Sequence, residues 1–120
     1  MYELKVQSSF SAAHHLLNYD GECENQHGHN WQVEVFVRGE ELNKSNLLVD
    51  FKLLKKTLIQ TLDLLDHKDI NTLEEFKNVS PSSEIIAKFI YYEMKKTIPL
   101  ISKVAVWETT NSCAAYFEQD

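Results

Sequence analysis

The sequence predicts an α+β fold of order ββααββ, an antiparallel four-stranded sheet with two helices on one face. Three observations carry that expectation. Two N-terminal segments alternate apolar and polar residues, two central segments place apolar residues at helical spacing, and two C-terminal segments alternate again. Antiparallel sheets of this kind bury one face and wet the other, so both helices belong over the apolar face.

Each element has its own local reason. In residues 1–14, Tyr2, Leu4, Val6, Phe10 and Ala12 share one parity, the mark of a half-buried strand. Asn18 to Gln26 is rich in Asn, Asp, Gly and Glu and reads as a loop. Residues 27–39 alternate again, with Trp31, Val33, Val35 and Val37 on one face, and the polar stretch from Gly39 to Asn46 turns the chain. Asp50 suits the N-cap of a helix carrying Leu54, Leu58, Leu62 and Leu65. Asp66 to Asn78 reads mostly as connection. Ser80-Pro81 starts a second helix, whose apolar face is Ile86, Phe89, Ile90 and Met94, and Pro99 bars its continuation. Residues 101–109 and 112–118 form the last two strands, with Asn111 near the turn.

Composition narrows the function classes. The 120 residues suit one domain spanning 1–120, and shares of 43% apolar and 25% charged argue against disorder. A net charge of −6, with Arg38 the single arginine, excludes the basic face that nucleic acid requires. The apolar stretch around Ile85 to Tyr92 is far too short to span a bilayer, so no membrane partner is expected. The first residues lack an apolar signal core, which makes a cytoplasmic address the expectation. Cys23 and Cys113 do not make a disulfide framework, and Cys113 is expected in the core.

Several residues carry chemistry. His27 and His29, in His27-Gly28-His29, lie two apart in an alternating run, so both imidazoles point to one face of one strand. His14 ends the first strand on the parity of Leu4, Val6 and Phe10. If those strands pair, three imidazoles converge at one end of the sheet. Three neutral nitrogens and an open fourth position describe a catalytic zinc site. The alternative is three histidines satisfied by hydrogen bonds at a strand edge. Cys23, four residues before His27, is a base or nucleophile whose pKa a nearby cation would lower. It could equally be a fourth zinc ligand or an incidental loop cysteine.

Asp66-His67 follows the first helix and offers a proton relay, although helix ends also attract histidine for dipole reasons. Glu108 shares the parity of Val104 and Val106, and a carboxylate on an apolar face needs a partner. A ligand with paired N–H donors would supply one. A strand-end glutamate turned to solvent is the other reading.

Taken in order, the motifs are Phe10-Ser11-Ala12-Ala13-His14, Cys-x-x-x-His-Gly-His at 23–29, Val49-Asp50-Phe51 and Leu65-Asp66-His67. Pro81-Ser82-Ser83-Glu84 and Trp107-Glu108-Thr109-Thr110 follow. Together they span most of the chain and resemble the 6-pyruvoyl-tetrahydropterin synthase and 6-carboxytetrahydropterin synthase family. The resemblance implies the tunnelling fold (T-fold), a ββααββ unit whose subunits join their sheets into a barrel, commonly a hexamer built from two trimers. It implies zinc held by His14, His27 and His29, gripping the side-chain hydroxyls of 7,8-dihydroneopterin triphosphate. Cys23 as thiolate would abstract a side-chain proton, and Asp66 with His67 would relay protons. Glu108 would anchor the pterin's 2-amino and N3–H edge, with Ser82 and Ser83 as a hydroxyl pair near the ring and also helix-start residues. His15 receives no role, and lysines must supply most cations for the triphosphate.

Glu24 places Glu-x-x-His-Gly-His beside the cysteine motif, which is similar to branches that form 6-hydroxymethyl-dihydropterin for folate synthesis. It is either an alternative base or a solvated loop glutamate. The expected function is that of a zinc-dependent lyase, the 6-carboxytetrahydropterin synthase of queuosine biosynthesis, releasing acetaldehyde and triphosphate. The alternatives are 6-pyruvoyl-tetrahydropterin synthase, the folate-branch variant, and a zinc-stabilised module that holds a pterin or purine without turnover. Two unpaired sheet edges further predict a closed homo-oligomer with the site at a subunit boundary.

Overall fold

The computed structural model describes residues 1–18 and 25–119; Cys23 and Glu24 lie outside the described residues. Two long strands, β1 (Tyr2–His14) and β2 (His27–Gly39), pair antiparallel along their whole length. Helix α1 (Phe51–Leu62) follows, then a two-residue strand β3 (Lys68–Asp69), helix α2 (Ser83–Lys95), and strands β4 (Ile101–Thr109) and β5 (Ser112–Phe117). The strand order is β3-β1-β2-β4-β5. The sheet therefore has five strands where the sequence predicts four. Two residues are too few to show alternation, and β3 exists because the chain leaving α1 runs parallel to β1 at Ala12 and Ala13.

Both helices lie over one face. Helix α1 packs on β1, and α2 on β4 and β5. Beneath them Val6, Phe10, Trp31, Val33, Val35, Val104 and Val106 are buried, the parities read from the alternation. Burying such side chains contributes about 1.5–3 kcal/mol each before entropy is counted. Leu54, Leu58 and Leu62 face the core from α1, and Leu65 does so from the turn beyond it. The connection after α1 is more structured than its polar sequence suggests, since two short 3₁₀ turns bury Ile70 and Phe76. Among the described residues, no helix is long and apolar enough to cross a membrane.

Caps set the helix starts. Asp50 is extended and its side chain accepts a hydrogen bond from the Lys52 backbone N–H at 2.8 Å. Asp50→Ala is expected to lower stability by about 1 kcal/mol, because a helix-end N–H loses its acceptor. Urea unfolding measures the loss, and an unchanged midpoint would refute it. Helix α2 begins later than Ser80-Pro81 predicts. Ser82 is the cap, with its hydroxyl accepting from Ile85 N–H at 3.3 Å, and Pro81 stands one residue before it. Cys113 is exposed rather than buried. It sits opposite Trp107 on the outward face, while Tyr116 takes the core side of β5.

Candidate metal centre

The β1–β2 register builds the site. It sets His14 opposite His27, Ala12 opposite His29 and Phe10 opposite Trp31. All three imidazoles thus gather at one end of the helix-covered face. Trp31 is their floor: its ring is stacked on Phe10 and edge-on to His14 at 4.8 Å and to His29 at 5.4 Å. Glu108, at the far end of β4, reaches the same point. Its Oε1 lies 3.0 Å from His14 Nε2, 2.9 Å from His29 Nε2 and 3.5 Å from His27 Nε2. The four ligand atoms lie within 4.8 Å of one another.

The rings are held so that their Nε2 atoms face inward. His14 is 2% exposed, and its Nδ1 lies 2.8 Å from the Pro81 carbonyl oxygen. His27 Nδ1 lies 3.1 Å from the Asn25 carbonyl oxygen. A carbonyl only accepts, so the Nδ1 of His14 and of His27 must carry a proton, and Nε2 is the nitrogen each ring turns to Glu108. Three imidazole nitrogens and an ionised carboxylate oxygen then converge. Protons or a cation must lie between them, and three imidazole nitrogens with one carboxylate are a donor set suited to zinc. Burial pushes the Glu108 carboxyl up, but hydrogen bonding to His14 and the charge of His29 and His14 outweigh it and hold the group below its ordinary value. The carboxylate is therefore ionised at neutral pH, as a cation ligand must be.

Further contacts brace this end of the fold. Asn71 clamps the strand end beside His14, accepting from His15 N–H at 2.9 Å and donating to the His15 carbonyl at 3.1 Å. The Ser80 hydroxyl accepts from Leu17 N–H at 2.9 Å. Sequence reasoning missed Asn71, Ser80 and the Pro81 carbonyl. They act across long sequence separations and leave no periodic signal; the only local hint was Pro81 itself, whose carbonyl is free of any helix. Ser82 spends its hydroxyl on the α2 cap, while Ser83 Oγ lies 3.4 Å from Glu108 Oε2.

Asp66 and His67 are brought to each other, and His67 shares a surface cavity with one member of the histidine cluster, His29. Asp66 Oδ1 accepts from Ser11 N–H at 2.9 Å, and Oδ2 lies 3.6 Å from His67 Nε2. The His67 backbone N–H donates to the Ser11 carbonyl, which ties the pair to the outer edge of β1. The His67 side chain is 82% exposed and lines a cavity of about 390 Å³ with Ser11, Ala13, Gly28, His29 and Asn30. Most of those residues face away from the helices, so the cavity opens on the side opposite the cluster's other imidazoles.

A family model described as 6-pyruvoyl tetrahydropterin synthase matches residues 3–119. The 6-carboxy-5,6,7,8-tetrahydropterin synthase of Synechocystis sp. is 32% identical, over 98% of this chain and 94% of that protein. The 6-pyruvoyl tetrahydrobiopterin synthase of Homo sapiens is also 32% identical, over 90% of this chain and 86% of its own. Among solved structures, the 6-pyruvoyl tetrahydropterin synthase of Caenorhabditis elegans superposes with a TM-score of 0.85 at 27% identity, covering 98% of this chain and 96% of that one. The fold is accordingly the tunnelling fold of these solved relatives. Matched over nearly its whole length by sequence and by structure, the chain belongs to the 6-pyruvoyl tetrahydropterin synthase family.

Proposed function

We propose that the chain is a zinc-dependent lyase that converts 7,8-dihydroneopterin triphosphate to 6-carboxytetrahydropterin, releasing acetaldehyde and triphosphate, within queuosine biosynthesis. The observation that carries the reading is the convergence of three imidazole Nε2 atoms and one carboxylate on a single point. Relatives named 6-carboxy-5,6,7,8-tetrahydropterin synthase, at 32% identity over almost the whole chain, support the choice of product. A bound zinc ion would polarise the substrate's side-chain hydroxyls and acidify the adjacent C–H groups.

The chain's own residues do the rest. His14, His27 and His29 would hold the metal, with the rings of His14 and His27 fixed in one tautomer by the Pro81 and Asn25 carbonyls. Glu108 offers a charged acceptor to the pterin's 2-amino and N3–H donors, a charge-assisted pair stronger than a neutral one. Ser83 steadies that carboxylate, and Ser82 acts on the ring only through the helix start it caps. Cys23 removes a side-chain proton as thiolate, with Glu24 the alternative base.

Asp66 and His67 deliver and remove protons from the outer edge of β1. On this reading they serve the cluster of a neighbouring copy, with the site at a subunit boundary of a closed homo-oligomer, a hexamer of two trimers; the exposure of His67 supports it. Strand β5 at one edge, and at the other the length of β1 that the two-residue β3 leaves uncovered, offer the backbone groups that such an assembly joins. Mixed oligomers of Cys23→Ala and His67→Ala chains, each inactive alone, should regain activity when reassociated. A monomer in sedimentation, or no regain, would overturn this arrangement.

The reaction itself is tested by product analysis with purified protein and 7,8-dihydroneopterin triphosphate. 6-Carboxytetrahydropterin with acetaldehyde is the expected outcome. A second reading, 6-pyruvoyl-tetrahydropterin synthase, is favoured by the equal 32% identity to the human enzyme, and 6-pyruvoyl-tetrahydropterin as product would establish it. 6-Hydroxymethyl-dihydropterin would instead point to Glu24 and the folate branch. Binding with no turnover would leave a pterin-holding module.

A further inference from the structure

We propose a second ligand site on the face of the sheet opposite the metal centre: the cavity beside Trp107 takes a neutral planar heterocycle through a lactam edge, the adjacent N–H and C=O that a guanine-type base presents. This site is independent of the zinc reading. Gln7 from β1, Asn30, Gln32 and Glu34 from β2, and Trp107 and Thr109 from β4 line a cavity of about 540 Å³. Small-molecule sites run from about 300 to 1,000 Å³. The β2 residues have the parity opposite to the buried Trp31, Val33 and Val35, so the cavity lies on the face that the helices leave bare. Strand β4 serves both faces, sending Glu108 to the histidines and Trp107 and Thr109 to this cavity.

Trp107 is spent neither in the core nor at the metal centre. Its ring is half-buried and does not pack on the hydrophobic core. The indole N–H donates to Glu34 Oε1 at 2.8 Å, and Glu34 Oε2 accepts from Lys5 Nζ at 3.1 Å. The indole hydrogen bond, with help from Lys5, outweighs burial and holds the Glu34 carboxyl below its ordinary value. The acceptor is therefore ionised at neutral pH, and its charge is matched by Lys5. An indole pinned in this way at a cavity wall is a stacking platform with little freedom left to lose.

The remaining walls select the ligand's edge. Register sets Gln32 opposite Trp107 and Gln7 opposite Glu34, so both amides stand beside the pinned pair. Among the described residues neither amide side chain makes a hydrogen bond, and an amide both donates and accepts. Asn30 Oδ1 accepts from Ser11 Oγ at 2.6 Å, which leaves the Asn30 amino group as a donor. A lactam complements such a set, because its N–H and C=O lie side by side in one plane. With Glu34 already matched, a phosphate or an ammonium group would find no balancing charge here, and an uncharged ring is preferred. Joining sheets edge to edge leaves this face uncovered.

Equilibrium dialysis with guanosine tests the site, since guanosine carries the lactam edge and no phosphate. Caffeine, a purine with every ring N–H methylated, is the control for stacking alone. Wild-type protein should bind guanosine at least about tenfold more tightly than caffeine, because a site that pairs with a donor rejects a ligand lacking it. Trp107→Leu should weaken guanosine at least about tenfold through lost stacking. Gln32→Ala should weaken it about three- to tenfold through one lost hydrogen bond. Gln32 is exposed, so its truncation carries the test if Trp107→Leu fails to fold. Glu108→Ala should leave this binding in place. Acrylamide quenching gives a second reading: Trp31 is 0% exposed, so the quenchable emission belongs to Trp107, and guanosine should protect it. Equal affinity for guanosine and caffeine would overturn recognition of the lactam edge. The second site itself is overturned by the absence of saturable binding, or by binding that Glu108→Ala abolishes and Gln32→Ala and Trp107→Leu leave intact.

Discussion

Replacing His29 by alanine should empty the centre of metal almost completely. Imidazole nitrogens supply three of the four converging donors, and removing one of them leaves a centre that holds a cation far more weakly. His29 is the right residue to remove. His14 is 2% exposed and packs on Trp31, so its truncation would open a cavity and confuse lost metal with lost packing. The His29 side chain is 22% exposed and lies nearer the rim, so its loss reports on ligation. Metal content per chain after dialysis is the measurement, with far-UV circular dichroism as the check that the sheet survives. Stoichiometric zinc retained by a folded His29→Ala protein would falsify the ligand assignment.

Cys23→Ala should keep zinc and substrate affinity but lose turnover by about 10²–10⁴-fold, the range a positioned proton-transfer group contributes. The reasoning starts from spacing. Cys23 lies four residues before His27 in a polar segment, and a cation held beside it would favour the thiolate. Deleting one sulfur removes none of the three imidazoles and not the Glu108 carboxylate, so binding should persist. Zinc content, substrate affinity and product formation, measured on the same preparation, separate the outcomes. Loss of zinc would make Cys23 a ligand. Undiminished turnover would transfer the role of base to Glu24, and Glu24→Gln would then carry the defect.

The sequence by itself determined whatever depends on local period and local chemistry. Alternation in residues 1–14 and 27–39 sets which side of a strand each residue occupies, because successive side chains must point to opposite faces. That alone put His14, His27, His29, Trp31 and Glu108 on the apolar face. The Asp50 cap was legible for a similar reason, since an acceptor at a helix start satisfies an N–H that no residue further along can reach. What only the tertiary structure decided concerns pairs far apart in the chain. Nothing local says that His14 stands opposite His27, or that Glu108 Oε1 comes within 3.5 Å of three imidazole nitrogens. Such distances depend on register, and a slip of one residue would send every one of these side chains to the other face. The same holds for the Pro81 carbonyl beneath His14, for the two-residue strand β3, and for Asp66–His67. Adjacent in sequence to the end of α1, that pair is tied by Ser11 to the outer edge of β1, where His67 comes to line a cavity with His29. Side-chain parity is a property of a strand, whereas distance between side chains is a property of how strands are paired.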